Sequence, residues 1–66
     1  MSVLKVIEIL ANSSDSWEDA AKLAVKKASQ SVKNIRSVYV QEQSATVVDN
    51  NITEYRVNVK ITFEVN

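Results

Sequence analysis

The strictest pattern in this chain is an alternation of apolar and polar side chains near its end. In the stretch "EYRVNVKITFEV", residues 54–65, every second residue is apolar across twelve positions. A period of two is that of a β-strand, because successive side chains of a strand point to opposite faces of its sheet. The sequence therefore predicts a strand with one core face and one polar face. The apolar residues are Tyr55, Val57, Val59, Ile61, Phe63 and Val65.

Two other segments also have strand character. Residues 3–10, "VLKVIEIL", are rich in β-branched and other apolar types, which predicts a first strand that is covered on both sides for much of its length. A second strand is predicted at roughly 36–47. Strict alternation places Val38 and Val40 on one of its faces and the following residues on the other: Ser37, Tyr39, Gln41, Gln43 and Ala45.

Turn and helix signals connect these strands. Asn50-Asn51 tolerates positive φ, which favours a tight hairpin and an antiparallel pairing of the second and third strands. A helix is predicted to begin near Ser16, with two competing capping boxes, Asp15 with Glu18 or Ser16 with Asp19. Its apolar stripe at spacings of three and four indicates an amphipathic helix, and comprises Trp17, Ala20, Ala21, Ala24, Ala28 and Val32.

These elements predict a single α+β domain over residues 1–66, with β-α-β-β order, a three-stranded antiparallel sheet and one amphipathic helix packed on one face. One helix can cover only one face of such a sheet. The polar faces of the second and third strands are therefore expected to meet water, other subunits or a ligand. Trp17, on the helix stripe, is expected in the core.

Composition narrows the function. A chain of 66 residues has a marginal core, and with no Cys and no His it has neither a disulfide nor the usual zinc ligands. Association with copies of itself is the remaining way to bury more surface. Lys+Arg and Asp+Glu balance at 8 and 8, which argues against nucleic-acid and acidic-membrane partners. No signal peptide or membrane span is recognised, so a cytoplasmic, non-enzymatic protein is expected.

Several strings together resemble the dodecin family over essentially the whole chain: "KVIEI", "SSDSWEDAAKLAVKKA", "NIR..YVQEQ" and "EYRVNVKITFEV". Dodecins are small β-α-β-β proteins that assemble as hollow dodecamers, and many bind riboflavin or FMN in pairs between subunits. The resemblance implies a homododecamer, a bound small-molecule ligand and a sheet in which the third strand is central.

The resemblance also implies where a flavin would bind. An aromatic residue early in the second strand, usually Trp, stacks on the flavin ring in this family, and that position is Ser37 here. Gln43 matches a family glutamine, and Arg56 occupies a position where flavin-binding relatives often have Gln. The candidate flavin-binding residues are therefore Arg36, Ser37, Gln43 and Arg56. In the alternative interpretation these residues line a solvent-filled interior or bond across subunit contacts.

A cation is the second implied ligand. Glu42 falls where an acidic residue lies near a bound cation in some relatives, and some dodecins without the Trp have been described as binding calcium. The sequence is thus interpreted as a flavin-binding and flavin-storing dodecin. The alternative is a flavin-free relative that binds calcium or another divalent cation, or that acts mainly as a structural assembly. Carboxylates available for a cation are Glu8, Glu42, Asp49 and Glu54.

Overall fold

The computed structural model describes residues 2–65, which form one helix and a three-stranded antiparallel sheet. Strand β1 spans Val3–Ser13, helix α1 Trp17–Ala28, strand β2 Ile35–Val48 and strand β3 Asn51–Val65. The sheet order is β1-β3-β2, so the strictly alternating strand is central, as predicted. The predicted β-α-β-β fold is confirmed. All three strands are longer than their sequence-predicted bounds.

Helix α1 has Ser16 as its N-cap, so the second of the two predicted capping boxes is half formed. The Ser16 hydroxyl accepts a hydrogen bond from the Asp19 backbone N–H at 2.9 Å, which satisfies one of the free donors of the first turn. The Asp19 carboxylate instead accepts from the Ser13 hydroxyl at 2.6 Å. The helix therefore starts from a side-chain network anchored at the end of β1. Among the described residues, no helix is long and apolar enough to cross a membrane.

The buried core is small and lies between α1 and β3. Ala20, Ala24 and Ala28 face β3, and the three alanines allow the helix to lie close to the sheet. Half-buried residues, Trp17 among them, pack around this core, so the expectation that Trp17 belongs to the core is confirmed. Val32 also packs there from beyond the helix end. The β3 residues of the core are Val57, Val59 and Ile61.

The other side of the sheet, here called the open face, has no described element packed on it. Residues directly paired on neighbouring strands point to the same face, so the pairing register assigns each side chain. The open face carries Arg56, Asn58, Lys60, Thr62 and Glu64 from β3, and their β1 partners are Asn12, Leu10, Glu8, Val6 and Leu4. Polar residues of β3 thus lie beside partly apolar β1 residues.

A β-bulge in β2 corrects the predicted faces of that strand. Val40 pairs with Val59 and Glu42 pairs with Asn58, which leaves Gln41 as an extra residue between them. One extra residue reverses the alternation beyond it, because the side-chain period of a strand is two. Gln43 therefore lies on the helix side, and the prediction that it shares a face with Ser37 is wrong. Ala45 changes sides in the same way.

The hairpin turn also differs by one residue from the prediction. The two positive-φ residues are Asp49 at 52° and Asn50 at 65°, and Val48 pairs with Asn51 across them. This is the two-residue hairpin that Asp and Asn favour at positive φ. Asn51 begins β3, so the turn is Asp49-Asn50 and not Asn50-Asn51.

Candidate functional site

The open face is the candidate ligand surface. The pairing register of its strands places the predicted flavin-binding residues far apart on it. Ser37 pairs with Thr62, whereas Arg56 pairs with Ser44 and with Asn12. Thr62 and Arg56 are six residues apart on β3, which is about 20 Å at the rise of a strand. Ser37 and Arg56 share the open face but are too far apart for one flavin ring to contact both within one chain.

Arg36 lies in a second bulge, between Ile35 and Ser37, and its guanidinium contacts Glu64. Its Nε and Nη2 donate to the same Glu64 carboxylate oxygen at 3.1 and 2.8 Å. This exposed ion pair partly neutralises the Arg36 charge at the end of the open face near Ser37. A ligand at Ser37 therefore meets a guanidinium that already has a carboxylate partner.

Arg56 is held at the other end of the open face. Its Nε donates to the Asn12 side-chain oxygen at 2.9 Å, which links the central strand to β1. That bond uses one of the five N–H donors of a guanidinium. Arg56 thus keeps the donors that a planar or anionic ligand would accept from.

The bulge at Gln41 brings Glu42 onto the open face. Glu42 pairs with Asn58, whose buried Oδ1 has no hydrogen-bond partner in the structure. Strict alternation had placed Glu42 on the helix side, so this arrangement could not be expected from the pattern alone. Arg56 and Lys60 occupy the adjacent positions on the same face of β3.

One copy of the chain does not assemble a metal site by itself. Residues 2–65 contain no group of three or more Asp, Glu, His or Cys side chains that could hold a metal ion. Calcium takes six to eight oxygen ligands, so a site at Glu42 requires oxygens from further copies or from water.

No role was predicted for Tyr39 from the sequence. It lies on the open face opposite Lys60, with 65% of its surface exposed. The sequence signal for a role of this residue was an aromatic side chain on a strand face that is otherwise polar. Large aromatic residues usually bury their surface, so such a placement is informative. Tyr39 is one row from Ser37 and offers a ring where Ser37 offers only a hydroxyl.

Trp17, by contrast, is fixed by contacts within the fold. Its Nε1 donates to the Ser44 backbone oxygen at 2.8 Å. Its ring also meets Tyr55 edge-on, with centroids 4.8 Å apart and an interplanar angle of 73°. These contacts join α1 to both β2 and β3, which supports a structural role for this side chain.

Comparison with known proteins identifies the class to which this fold and surface belong. The family model described as Dodecin matches residues 3–66. The chain belongs to the dodecin family, which confirms the resemblance drawn from its sequence.

Individual relatives cover nearly the whole chain. A protein named calcium dodecin from Mycobacterium tuberculosis is 42% identical over 64 residues, covering 97% of this chain and 90% of the relative. The structure of a calcium dodecin from that organism, described as having a novel calcium-binding site, superposes with a TM-score of 0.85 at 40% identity, covering 98% of this chain and 93% of the other. Dodecin from Streptomyces coelicolor superposes with a TM-score of 0.94 at 23% identity, covering 98% and 93% respectively, which shows the fold.

The contacts of Trp17 generate a prediction. Trp17→Phe keeps an aromatic ring but removes the N–H donor to Ser44, so the free energy of unfolding should fall by about 1 kcal/mol. Urea denaturation at fixed chain concentration measures this change. Ligand affinity should remain that of the unaltered protein, and a large loss of affinity with unchanged stability would contradict the structural role.

Proposed function

We propose that this chain is a non-catalytic, self-associating dodecin whose open faces hold a small ligand, with calcium as the first candidate and Glu42 as its ligand. The observation that carries the proposal is the bulge at Gln41. It places the Glu42 carboxylate on the open face and removes Gln43 from it. The same bulge therefore supports a cation site and weakens the flavin site implied by the sequence.

Self-association is supported by the surface that one chain leaves exposed. Its accessible surface is 4911 Å², whereas a folded monomer of 7.4 kDa is expected to expose about 4,200 Å². Exposed large apolar residues include Leu4, Val6 and Leu10 on the open face. Burying such residues between copies supplies the core that one chain lacks.

Symmetry between copies would complete a calcium site. In a homo-oligomer, a carboxylate close to a rotation axis is repeated around that axis, so copies of Glu42 would converge where one chain presents a single carboxylate. The 42% identical relative is named a calcium dodecin, which favours this ligand. Lys60 and Arg56 disfavour calcium binding at Glu42, because their positive charges lie next to it on the open face and repel a cation.

The calcium proposal predicts opposite effects for two neighbouring substitutions. Glu42→Gln preserves shape but removes the charge, so calcium affinity should fall at least tenfold, about 1.4 kcal/mol or more. Lys60→Gln removes a repelling charge and should raise affinity. Isothermal titration of the assembled, chelator-treated protein with calcium measures both.

Glu54→Gln is the matched control, since it removes a carboxylate of the neighbouring strand β3 that pairs with Thr46 and not with Glu42. It should leave calcium affinity unchanged. Equal affinity in the Glu42→Gln and unaltered proteins would overturn the assignment of Glu42.

Riboflavin or FMN is the second candidate ligand. Tyr39 supplies an exposed ring on the open face, and Arg56 supplies a donor for a carbonyl edge or a phosphate. One chain does not bring together all four residues predicted to bind flavin, so different copies would have to contribute them. These residues are Arg36, Ser37, Gln43 and Arg56. Ser37 lacks the ring whose stacking is worth roughly 1–3 kcal/mol, by analogy with nucleic-acid bases on aromatic side chains.

The flavin alternative predicts that Ser37→Trp tightens riboflavin and FMN binding by roughly tenfold or more, because it restores a stacking ring. Arg56→Ala should weaken binding of FMN. Quenching of flavin fluorescence on titration measures both, and Ser31→Trp, in the exposed turn after α1, is the control for an added indole. Unchanged flavin emission with the unaltered and Ser37→Trp proteins would contradict this alternative.

A further inference from the structure

The side-chain oxygen of Asn58 is buried on the open face and accepts no hydrogen bond from residues 2–65. Buried polar atoms in proteins nearly always have a partner, and an orphaned one points to a bound water or ion at that position. Asn58 lies in the middle of the central strand β3, so its oxygen is not at a frayed end of the sheet. Its Oδ1 therefore needs a partner that one chain does not supply.

The two residues that pair directly with Asn58 offer its oxygen no hydrogen-bond donor. Leu10 of β1 is apolar, and Glu42 of β2 is a carboxylate, which only accepts hydrogen bonds when it is ionised. Glu42 forms no ion pair within the part of the chain that the structure describes. Asn58 and Glu42 thus place two oxygen acceptors side by side, and a cation can satisfy both.

The spacing of this pair suits a single divalent cation. Side chains directly opposite each other on antiparallel strands have Cβ atoms about 4.5–5.5 Å apart. Calcium–oxygen distances are about 2.3–2.6 Å, so two ligands on opposite sides of the ion are separated by about 5 Å. A carboxylate and an amide carbonyl are also the hard oxygen ligands that calcium prefers.

The charges around Asn58 admit a cation on its β2 side. Its neighbours on the open face of β3 are Arg56 and Lys60, and Asn58 is the uncharged residue between them. The Arg56 guanidinium donates to Asn12 of β1 at 2.9 Å, so it is drawn toward one edge of the sheet. Glu42 lies on the opposite edge strand, β2. The carboxylate is therefore on the side of Asn58 from which Arg56 is held away.

We infer that the side-chain oxygen of Asn58 is a second calcium ligand beside the Glu42 carboxylate. This inference rests on the calcium site proposed above and adds a residue to it. Each copy of the chain supplies two adjacent oxygens, and water or further copies supply the others, since calcium takes six to eight oxygen ligands. In the calcium-bound protein the buried oxygen gains the partner that it otherwise lacks.

Two substitutions of Asn58 should change calcium affinity in opposite directions. Asn58→Leu keeps a similar shape but removes the oxygen, so affinity should fall about tenfold. Asn58→Asp supplies a second carboxylate and should raise affinity about tenfold, because the number of charged ligands tunes calcium binding. Isothermal titration of the assembled, chelator-treated protein with calcium measures both. Thr62→Val is the matched control, since it removes an oxygen from the same face of β3 two rows away, and it should leave affinity unchanged.

Thermal unfolding in chelator and in calcium distinguishes a ligand from a merely structural residue. An unpartnered buried oxygen does not stabilise the calcium-free fold, so Asn58→Leu should melt in chelator no lower than the unaltered protein. Asn58→Asp should melt lower in chelator, because its carboxylate lies opposite Glu42. Calcium should then raise the melting temperature of Asn58→Asp by more, and that of Asn58→Leu by less, than it raises that of the unaltered protein.

A tenfold loss of affinity in Asn58→Leu without a loss in Thr62→Val supports the assignment. Equal affinity in Asn58→Leu and the unaltered protein, with a lower melting temperature in chelator, overturns it and makes Asn58 structural. If Glu42→Gln weakens calcium binding and Asn58→Leu does not, the inference fails while the site at Glu42 stands. Absence of calcium binding by the unaltered protein overturns both, so the two failures are distinguishable.

Discussion

The structure depends on one packing constraint, which is that a single helix of twelve residues covers one face of a three-stranded sheet. Among residues 2–65, the buried apolar core consists of six residues, of which three are alanines. The chain is also elongated, with a Cα radius of gyration of 13.5 Å, against about 11 Å for a compact domain of this length. A thin core and an uncovered sheet face are two results of the same shortage of covering elements.

Much of this fold was predictable from the sequence because its signals are local. The alternation from Tyr55 to Val65 identified the third strand, and the family resemblance implied its central place. The alanine spacing identified the helix, and two competing capping boxes placed its start near Ser16. The hairpin prediction erred by one residue, since Asp49, Asn50 and Asn51 all tolerate the turn geometry and only the pairing of Val48 with Asn51 decides among them.

The site was less predictable because it depends on a bulge. Nothing in "VQEQ" distinguishes an extra residue from a regular strand, yet the extra residue at Gln41 exchanges the faces of Glu42 and Gln43. Alternation of apolar and polar residues reveals such a shift only where apolar residues continue on both sides of the extra residue. The set of residues that contact a ligand is harder still to predict, because contacts between copies decide which carboxylates and guanidinium groups meet. Within one chain these groups lie as far as about 20 Å apart along the strand.

We propose that this chain is stable as an assembly in which subunit contacts supply the buried apolar surface that its own core lacks. Multi-angle light scattering on the purified protein, with circular dichroism over a dilution series, tests that claim most directly. We expect a discrete particle many times larger than the 7.4 kDa chain, twelve copies if it follows the family, and loss of structure when dilution finally separates the subunits. A folded, stable 7.4 kDa species at micromolar concentration would contradict stabilisation by assembly.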